Sequence, residues 1–108
     1  MSEPVKPDDL DAVIHERVRL AIVAALAVSP QLGFNELKSM LDLTDGNLSA
    51  HSRTLHEAGY IVVEKSFRGR KPYTSMRLTV KGRKAFERYL ATLRQIVERG
   101  DQAKGDSS

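Results

Sequence analysis

The sequence predicts a mainly α-helical domain that carries one small β-hairpin, an α+β arrangement. Three observations support this fold class. Apolar residues recur at helical spacing in several separate stretches. Two runs rich in β-branched and aromatic residues, 60–67 and 73–78, flank a short segment containing Gly and Pro. The chain of 108 residues, with 41% hydrophobic and 29% charged residues, has the size and composition of one globular domain.

The folded domain is expected at residues 8–99, between a flexible N-terminus at 1–7 and a flexible polar C-terminal tail at 100–108. No apolar run reaches the ~18 residues that span a bilayer. The acidic N-terminus has no signal-peptide core. Cysteine is absent, which excludes disulfides and thiolate metal sites. These features predict a cytoplasmic protein without a membrane partner.

A helix at residues 45–58 is the most informative element. Thr44 is suited to cap it, Asp45 complements the helix dipole, and Gly59 can take the left-handed conformation that ends it. One face is small and polar near the N-terminus, so it can enter a DNA groove, and its Asn and Arg side chains can make bidentate contacts with bases. The alternative is an ordinary amphipathic surface helix. The predicted base-reading residues are Gly46, Asn47, Ser49, Ala50, Arg53 and Thr54.

The first helix of the chain is expected before residue 30. It could begin near Asp8 or Asp9 and bend before Glu16. Residues 18–28 contain Arg19 as their single polar residue. A helix so apolar must be covered on more than one side, either by a second subunit or as a central core helix.

Residues 31–34 form a short extended connection, and Asn35 can cap a helix through Leu41. Leu37, Met40 and Leu41 are expected to face inward. A turn at residues 42–43 then leads into the helix at 45–58, which is a helix-turn-helix arrangement.

The predicted β-hairpin has a cationic tip, because residues 68–72 include three basic side chains. Residues 60–84 hold eight basic residues against Glu64 alone, a local net charge of +7. Such a segment beside a groove-sized helix is typical of nucleic-acid binding; the alternative is an exposed loop with incidental charge. The residues expected to contact the DNA backbone are Lys65, Arg68, Arg70, Lys71 and Lys81.

Thr79 can cap a last helix at residues 80–99, with an apolar stripe running its length. About twenty residues is too long for the whole stripe to pack inside so small a domain. We therefore expect the distal half to pair with a second subunit, together with the first helix. The residues predicted to lie in this dimer interface are Leu20, Val23, Leu90, Leu93 and Val97.

The run at residues 43–61, Leu-Thr-Asp-Gly-Asn-Leu-Ser-Ala-His-Ser-Arg-Thr-Leu-His-Glu-Ala-Gly-Tyr-Ile, resembles the recognition helix of winged helix-turn-helix regulators in the MarR/ArsR-like group. Arg-Gly-Arg-Lys-Pro-Tyr-Thr at 68–74 is similar to that group's wing. The resemblance covers roughly residues 14–97. It departs at Ser52, where relatives more often carry a bulky apolar residue. It implies a winged-helix transcriptional regulator, usually a repressor, that binds double-stranded DNA as a homodimer.

No residue pattern supports catalysis, a metal or another cofactor, so an enzyme is not expected. His51 and His56 are five residues apart and lack the spacing that shares a metal on one helix face; His51 is expected to bond a neighbouring carbonyl or to pack. Two alternatives stay open: a winged-helix module for protein–protein interaction, and a sensor that responds to an unidentified effector. A small-molecule effector is compatible with the sequence, but no polar constellation indicates one.

Overall fold

A computed structural model describes residues 5–106, and their side chains through residue 100. It confirms the expected fold class: four helices and a three-stranded antiparallel sheet. The predicted flexible ends fall partly on residues 1–4 and 107–108, which lie outside the described part. After a short 3-10 helix at Pro7–Asp9, the elements are α1 (Arg17–Val28), β1 (Leu32–Gly33), α2 (Phe34–Leu41), α3 (Asp45–Glu57), β2 (Ile61–Arg68), β3 (Lys71–Leu78) and α4 (Val80–Asp106).

The sheet has the strand order β1-β3-β2. Strands β2 and β3 pair in one unbroken register from Ile61 opposite Leu78 to Arg68 opposite Lys71. The connection is therefore shorter than the expected 68–72 loop. Gly69 adopts a φ of 65°, and glycine with positive φ at the first turn position permits a two-residue hairpin.

Helix α1 begins where Glu16 caps it, not near Asp8 or Asp9. The Glu16 carboxylate accepts hydrogen bonds from the backbone nitrogens of Val18 at 2.9 Å and Arg19 at 2.8 Å. The two aspartates instead belong to the short 3-10 helix. The Glu16 carboxylate gives hydrogen-bond partners to two first-turn amides that have none within the helix, so the helix begins here and not at the upstream aspartates.

The apolar character of α1 has its origin within the single chain. Ile22, Val23 and Leu26 are completely buried, and α1 contacts α2, α3, α4 and β3. This agrees with the central-core interpretation. The prediction that Val23 lies in a subunit interface is wrong, because a fully buried side chain has no surface to offer a partner.

Helix α2 starts two residues earlier than expected, with Gly33 as its N-cap in place of Asn35. The Glu36 carboxylate accepts from the Gly33 backbone nitrogen at 3.3 Å, which favours this start. Leu37 is buried and Leu41 half-buried, as predicted. Met40 is wrong as an inward residue: it is 59% exposed, because the core covers only part of this helix.

The main core lies between α1, α2, α3 and the sheet. Ser52 lies in it, and its hydroxyl contacts the sulfur of Met76 at 3.4 Å, so the polar atom has a partner despite its burial. A second cluster joins Ile14 to Ala85 and Tyr89 of α4. The segment before α1 is thereby packed against α4.

Helix α4 is capped by Thr79, whose hydroxyl accepts from the Gly82 backbone nitrogen at 2.9 Å. It continues past the expected end at residue 99 to Asp106, because the two glycines of this segment, Gly100 and Gly105, each cost a helix only about 1 kcal/mol. With 27 residues it is about 40 Å long. It extends the molecule to 63 × 25 × 21 Å. In the described part of the chain, no helix combines the length and apolar character that a membrane span requires.

Candidate nucleic-acid interface

Helix α3 is held in one orientation by its cap and its buried face. The Thr44 hydroxyl accepts from the Asn47 backbone nitrogen at 3.1 Å, as predicted. Asp45 forms an ion pair with Lys38 of α2 at 2.9 Å. On the inner side, Leu48 and Leu55 are completely buried. The outer face therefore points away from the core.

Most residues predicted to read bases lie on that outer face. Gly46 is exposed in the first turn of α3, and a Cβ added there would have no atom within 4 Å. Because no side chain covers this position, another surface can approach the helix backbone closely. Thr54 is half-buried, and its hydroxyl donates to the Ala50 carbonyl at 3.3 Å, so this donor already has a partner. The exposed members of the set are Gly46, Asn47, Ser49, Ala50 and Arg53.

One open groove of about 800 Å³ joins α3 to the hairpin. Arg53 lines it from the helix, and Lys65 and Thr74 line it from strands β2 and β3. The exposed face of α3 and one face of the hairpin are therefore on the same side of the molecule. Two cations from separate elements meet at this groove, which is the arrangement that a phosphate backbone can bridge.

The hairpin tip is braced against α2. The Arg68 guanidinium lies 3.8 Å from the centre of the Tyr73 ring, and the Tyr73 hydroxyl donates to Glu36 at 3.0 Å. Desolvation raises the pKa of Tyr73, and the hydrogen bond to Glu36 acts in the same direction. The sequence did not lead us to predict Tyr73 and Glu36 as supports of the tip. An aromatic ring diagonally across the hairpin from Arg68 was the available signal, since such neighbours lie within reach of each other.

Lys81 lies apart from the other predicted backbone contacts. It packs beside Gly59, and its Nζ is 5.7 Å from the Tyr60 ring centroid. That position is at the C-terminal end of α3, about 20 Å from Asn47 along the helix axis. Tyr60 directly precedes β2, and the eight residues from there to Arg68 extend about 26 Å, so Lys81 also lies far from the hairpin tip.

Four basic side chains of this surface form no ion pair within residues 5–100: Arg53, Lys65, Arg70 and Lys71. Arg77 of β3 differs, because it contacts Glu64 at 3.2 Å. Cations without a carboxylate partner keep their charge available for phosphate groups.

The three histidines have separate environments. We expected His51 to bond a neighbouring carbonyl or to pack. Its Nδ1 instead lies 3.1 Å from Arg19 Nη1 and 3.6 Å from the Glu16 carboxylate. His15 Nδ1 lies 2.9 Å from the Tyr89 hydroxyl. His56, which the sequence did not mark as a residue of the DNA-binding surface, lines the groove together with Arg53. Among the described residues, no group of three His, Cys, Asp or Glu side chains could hold a metal ion.

A protein-family model described as a winged helix DNA-binding domain matches residues 18–97. The chain belongs to this winged-helix family. An uncharacterised protein of Methanocaldococcus jannaschii is 37% identical over 84 residues, 78% of this chain and 91% of that protein. The two sequences are therefore similar along most of their lengths.

Solved structures agree with this family. A transcriptional regulator homologue from Pyrococcus horikoshii OT3 matches with a TM-score of 0.79 and 30% identity, over 82% of this chain and 88% of that one. A possible transcriptional regulator for arsenical resistance matches with a TM-score of 0.56 and 27% identity, over 95% and 99% of the two chains. A structure of MarR, 18% identical, shares the fold. These matches confirm the resemblance to the MarR/ArsR-like group and support a DNA-binding regulator.

Proposed function

We propose that this winged-helix protein is a homodimeric, sequence-specific regulator that represses transcription by occupying double-stranded DNA. The observation that carries the proposal is the shared groove, which is lined by Arg53 of α3 and by Lys65 of the hairpin. A helix and a cationic hairpin that face the same way can engage adjacent features of one duplex.

In this proposal the N-terminal half of α3 enters the major groove, whose width of ~12 Å admits a helix. Asn47 and Arg53 are exposed and carry the side chains best suited to adenine and guanine. The absence of a side chain at Gly46 permits a close approach of the α3 backbone to DNA. The base-reading set is Gly46, Asn47, Ser49, Ala50, Arg53 and Thr54, with Thr54 the least available.

The hairpin serves as the wing and follows the phosphate backbone or an adjacent minor groove. Arg70 and Lys71 at its tip are exposed and unpaired among the described residues. Arg68, held on Tyr73, approaches the backbone from a fixed position. Lys65 completes this set from the groove. Lys81 would contact the phosphate backbone only where the DNA extends past the C-terminal end of α3.

The dimer is proposed from the apolar side chains of α4. Leu90 is 40% exposed and Val97 is 55% exposed, while Leu93 and Leu20 are half-buried. Exposed apolar side chains on a projecting helix favour burial against another subunit. A two-fold dimer of this kind would bind a pseudo-palindromic site with half-sites about ten base pairs apart, or a multiple of that.

Selection of bound duplexes from a random pool by the purified protein tests the proposal. We expect a pseudo-palindromic motif whose affinity falls steeply with salt concentration. The double change Arg70→Ala and Lys71→Ala should weaken binding and reduce the salt dependence by about two phosphate contacts. The matched control, Lys84→Ala with Arg94→Ala on exposed positions of α4, should have a much smaller effect. Failure of any duplex to be retained in a salt-dependent manner would refute the proposal.

Repression needs a separate measurement. The selected site, placed across a promoter in a transcription assay with purified components, should give less transcript as the protein is added. An increase in transcript would identify an activator and contradict this part of the proposal.

A further inference from the structure

Phe67 is a large apolar side chain with no cover in the described structure. It lies near the end of β2 and is 72% exposed. The other two phenylalanines, Phe34 and Phe86, are half-buried and pack against the core. A single exposed aromatic residue is not unusual by itself, so the residues around Phe67 decide what it could contact.

The hairpin register determines which way Phe67 faces. Strands β2 and β3 pair without a bulge, so alternate residues share one face throughout. Val63 and Lys65 line the groove against α3, and Phe67 is next on the same face. Its cross-strand partner is Pro72. The tip of the wing therefore presents an apolar Phe–Pro pair on the side where α3 is exposed.

Basic residues lie next to this apolar pair on both faces of the hairpin. Lys65 precedes Phe67 on its own face, Arg70 is in the turn, and Arg68 and Lys71 form the adjacent cross-strand pair on the opposite face. A partner must therefore combine negative charge with accessible apolar surface. Duplex DNA has this combination in its minor groove, where phosphates flank deoxyribose and the edges of stacked bases. Proteins that bind there insert apolar side chains, Phe and Pro among them, between base steps.

We propose that Phe67, supported by Pro72, is an apolar wedge that contacts the minor groove and partly unstacks one base step. The proposal rests on the proposed DNA-binding function and adds a residue that acts without charge. Arg70 and Lys71 hold the tip to the phosphates, and Phe67 occupies the groove floor between them. Flexible pyrimidine–purine steps, which unstack at low cost, should be preferred at this position of the site.

The test compares Phe67→Ala, Phe67→Leu and Arg70→Ala on the duplex selected by the wild-type protein, with binding followed by fluorescence anisotropy over a series of salt concentrations. Phe67→Ala should weaken binding about tenfold at every salt concentration and leave the salt slope unchanged, because no cation is lost. Phe67→Leu should recover most of the affinity. Arg70→Ala should reduce the slope by about one phosphate contact.

Unstacking is measured separately with 2-aminopurine placed at each step of the site. The wild-type protein should raise its fluorescence at one step, and Phe67→Ala should abolish that rise. Circular dichroism and Tm should be nearly unchanged for Phe67→Ala, since the side chain is exposed.

The outcomes separate the two proposals. If the wild-type protein binds no duplex, the proposed function fails and the wedge fails with it. If the wild-type protein binds DNA but Phe67→Ala binds equally well, the wedge alone is overturned. Anionic lipid vesicles serve as a second probe: loss of vesicle binding in Phe67→Ala, with DNA binding intact, would assign the residue to a membrane surface and overturn the wedge.

Discussion

A Cβ on Gly82 would lie 2.1 Å from the carbonyl oxygen of Tyr60, so the first turn of α4 touches the backbone at the start of β2. The same carbonyl accepts from the Thr79 nitrogen at 3.0 Å. The Thr79 hydroxyl donates to the Gly59 carbonyl at 2.6 Å. These contacts attach α4 to the segment that follows α3, and they fix the direction in which α4 leaves the domain.

Replacement of Gly82 by alanine should therefore destabilise the fold, although alanine is the better helix former. The new methyl group would meet backbone atoms, which can yield only if α4 moves. We expect the free energy of unfolding to fall by about 2 kcal/mol or more, measured by urea denaturation. Gly100→Ala is the matched control: nothing lies within 4 Å of that Cβ position, so the helix should be stabilised by up to about 1 kcal/mol. Equal effects of the two changes would contradict the close approach at Gly82.

The hydrogen bond from Tyr60 to Asp11 should give stability that is lost in alkali. Burial raises the pKa of Tyr60 to about 12, and the bond to Asp11 acts in the same direction. Because this folded value lies above the unfolded value of 10.0, the contribution is fully present below pH 10 and is lost as the pH rises towards 12. Tyr60→Phe should be less stable than wild type below pH 10, and the difference should narrow above it. A difference that stays constant from neutral pH to alkali would show that ionisation of Tyr60 is not linked to folding.

The charged carboxylate of Glu16 should stabilise the fold, and this contribution should be lost in acid, whereas that of Tyr60 is lost in alkali. Burial tends to raise the pKa of Glu16, but hydrogen bonds from the Arg19 and Val18 backbone nitrogens, with the charges of His51 and Arg19, hold it below 4.5. A lowered folded pKa means that the contribution is present above pH 4.5 and is lost as the pH falls through the folded value. Glu16→Gln keeps an acceptor for the cap but loses the charge. Its Tm should lie below that of wild type at neutral pH and approach it in acid. Equal Tm values at neutral pH would rule out the charge of Glu16 as a source of stability.

The proposed dimer predicts a response to charge on one face of α4. Leu90→Asp and Val97→Asp place a carboxylate on exposed apolar positions, so they should leave the monomer folded but separate the subunits. Sedimentation equilibrium should show a mass near 24 kDa for wild type, twice the 12.0 kDa of one chain, and a shift towards one chain in each variant. Gln95→Asp, also exposed on α4, is the control and should stay dimeric. A wild-type protein that sediments as a single chain would refute the dimer.

Local chemistry explains why much of the candidate site could be predicted. Thr44 and Gly59 mark the ends of α3 through interactions within a few residues, so the exposed face of that helix followed from its start and its period. Gly69 likewise marked the hairpin turn. The errors arose where several residue types fitted the same local rule. Met40 and Leu37 both have the spacing of an inward face, and the packing of α2 covers only Leu37.

The sequence by itself determined the order of the helices and the hairpin, the small polar face of α3 and the cationic tip, because caps, glycines and periodicity act over short distances. The tertiary structure decided that Val23 is core and not interface, that Lys81 lies away from the tip, and that Phe67 faces the same side as Arg53. Each of these depends on contacts between residues far apart in the chain. Such contacts exist only once the elements have packed, so no local pattern encodes them.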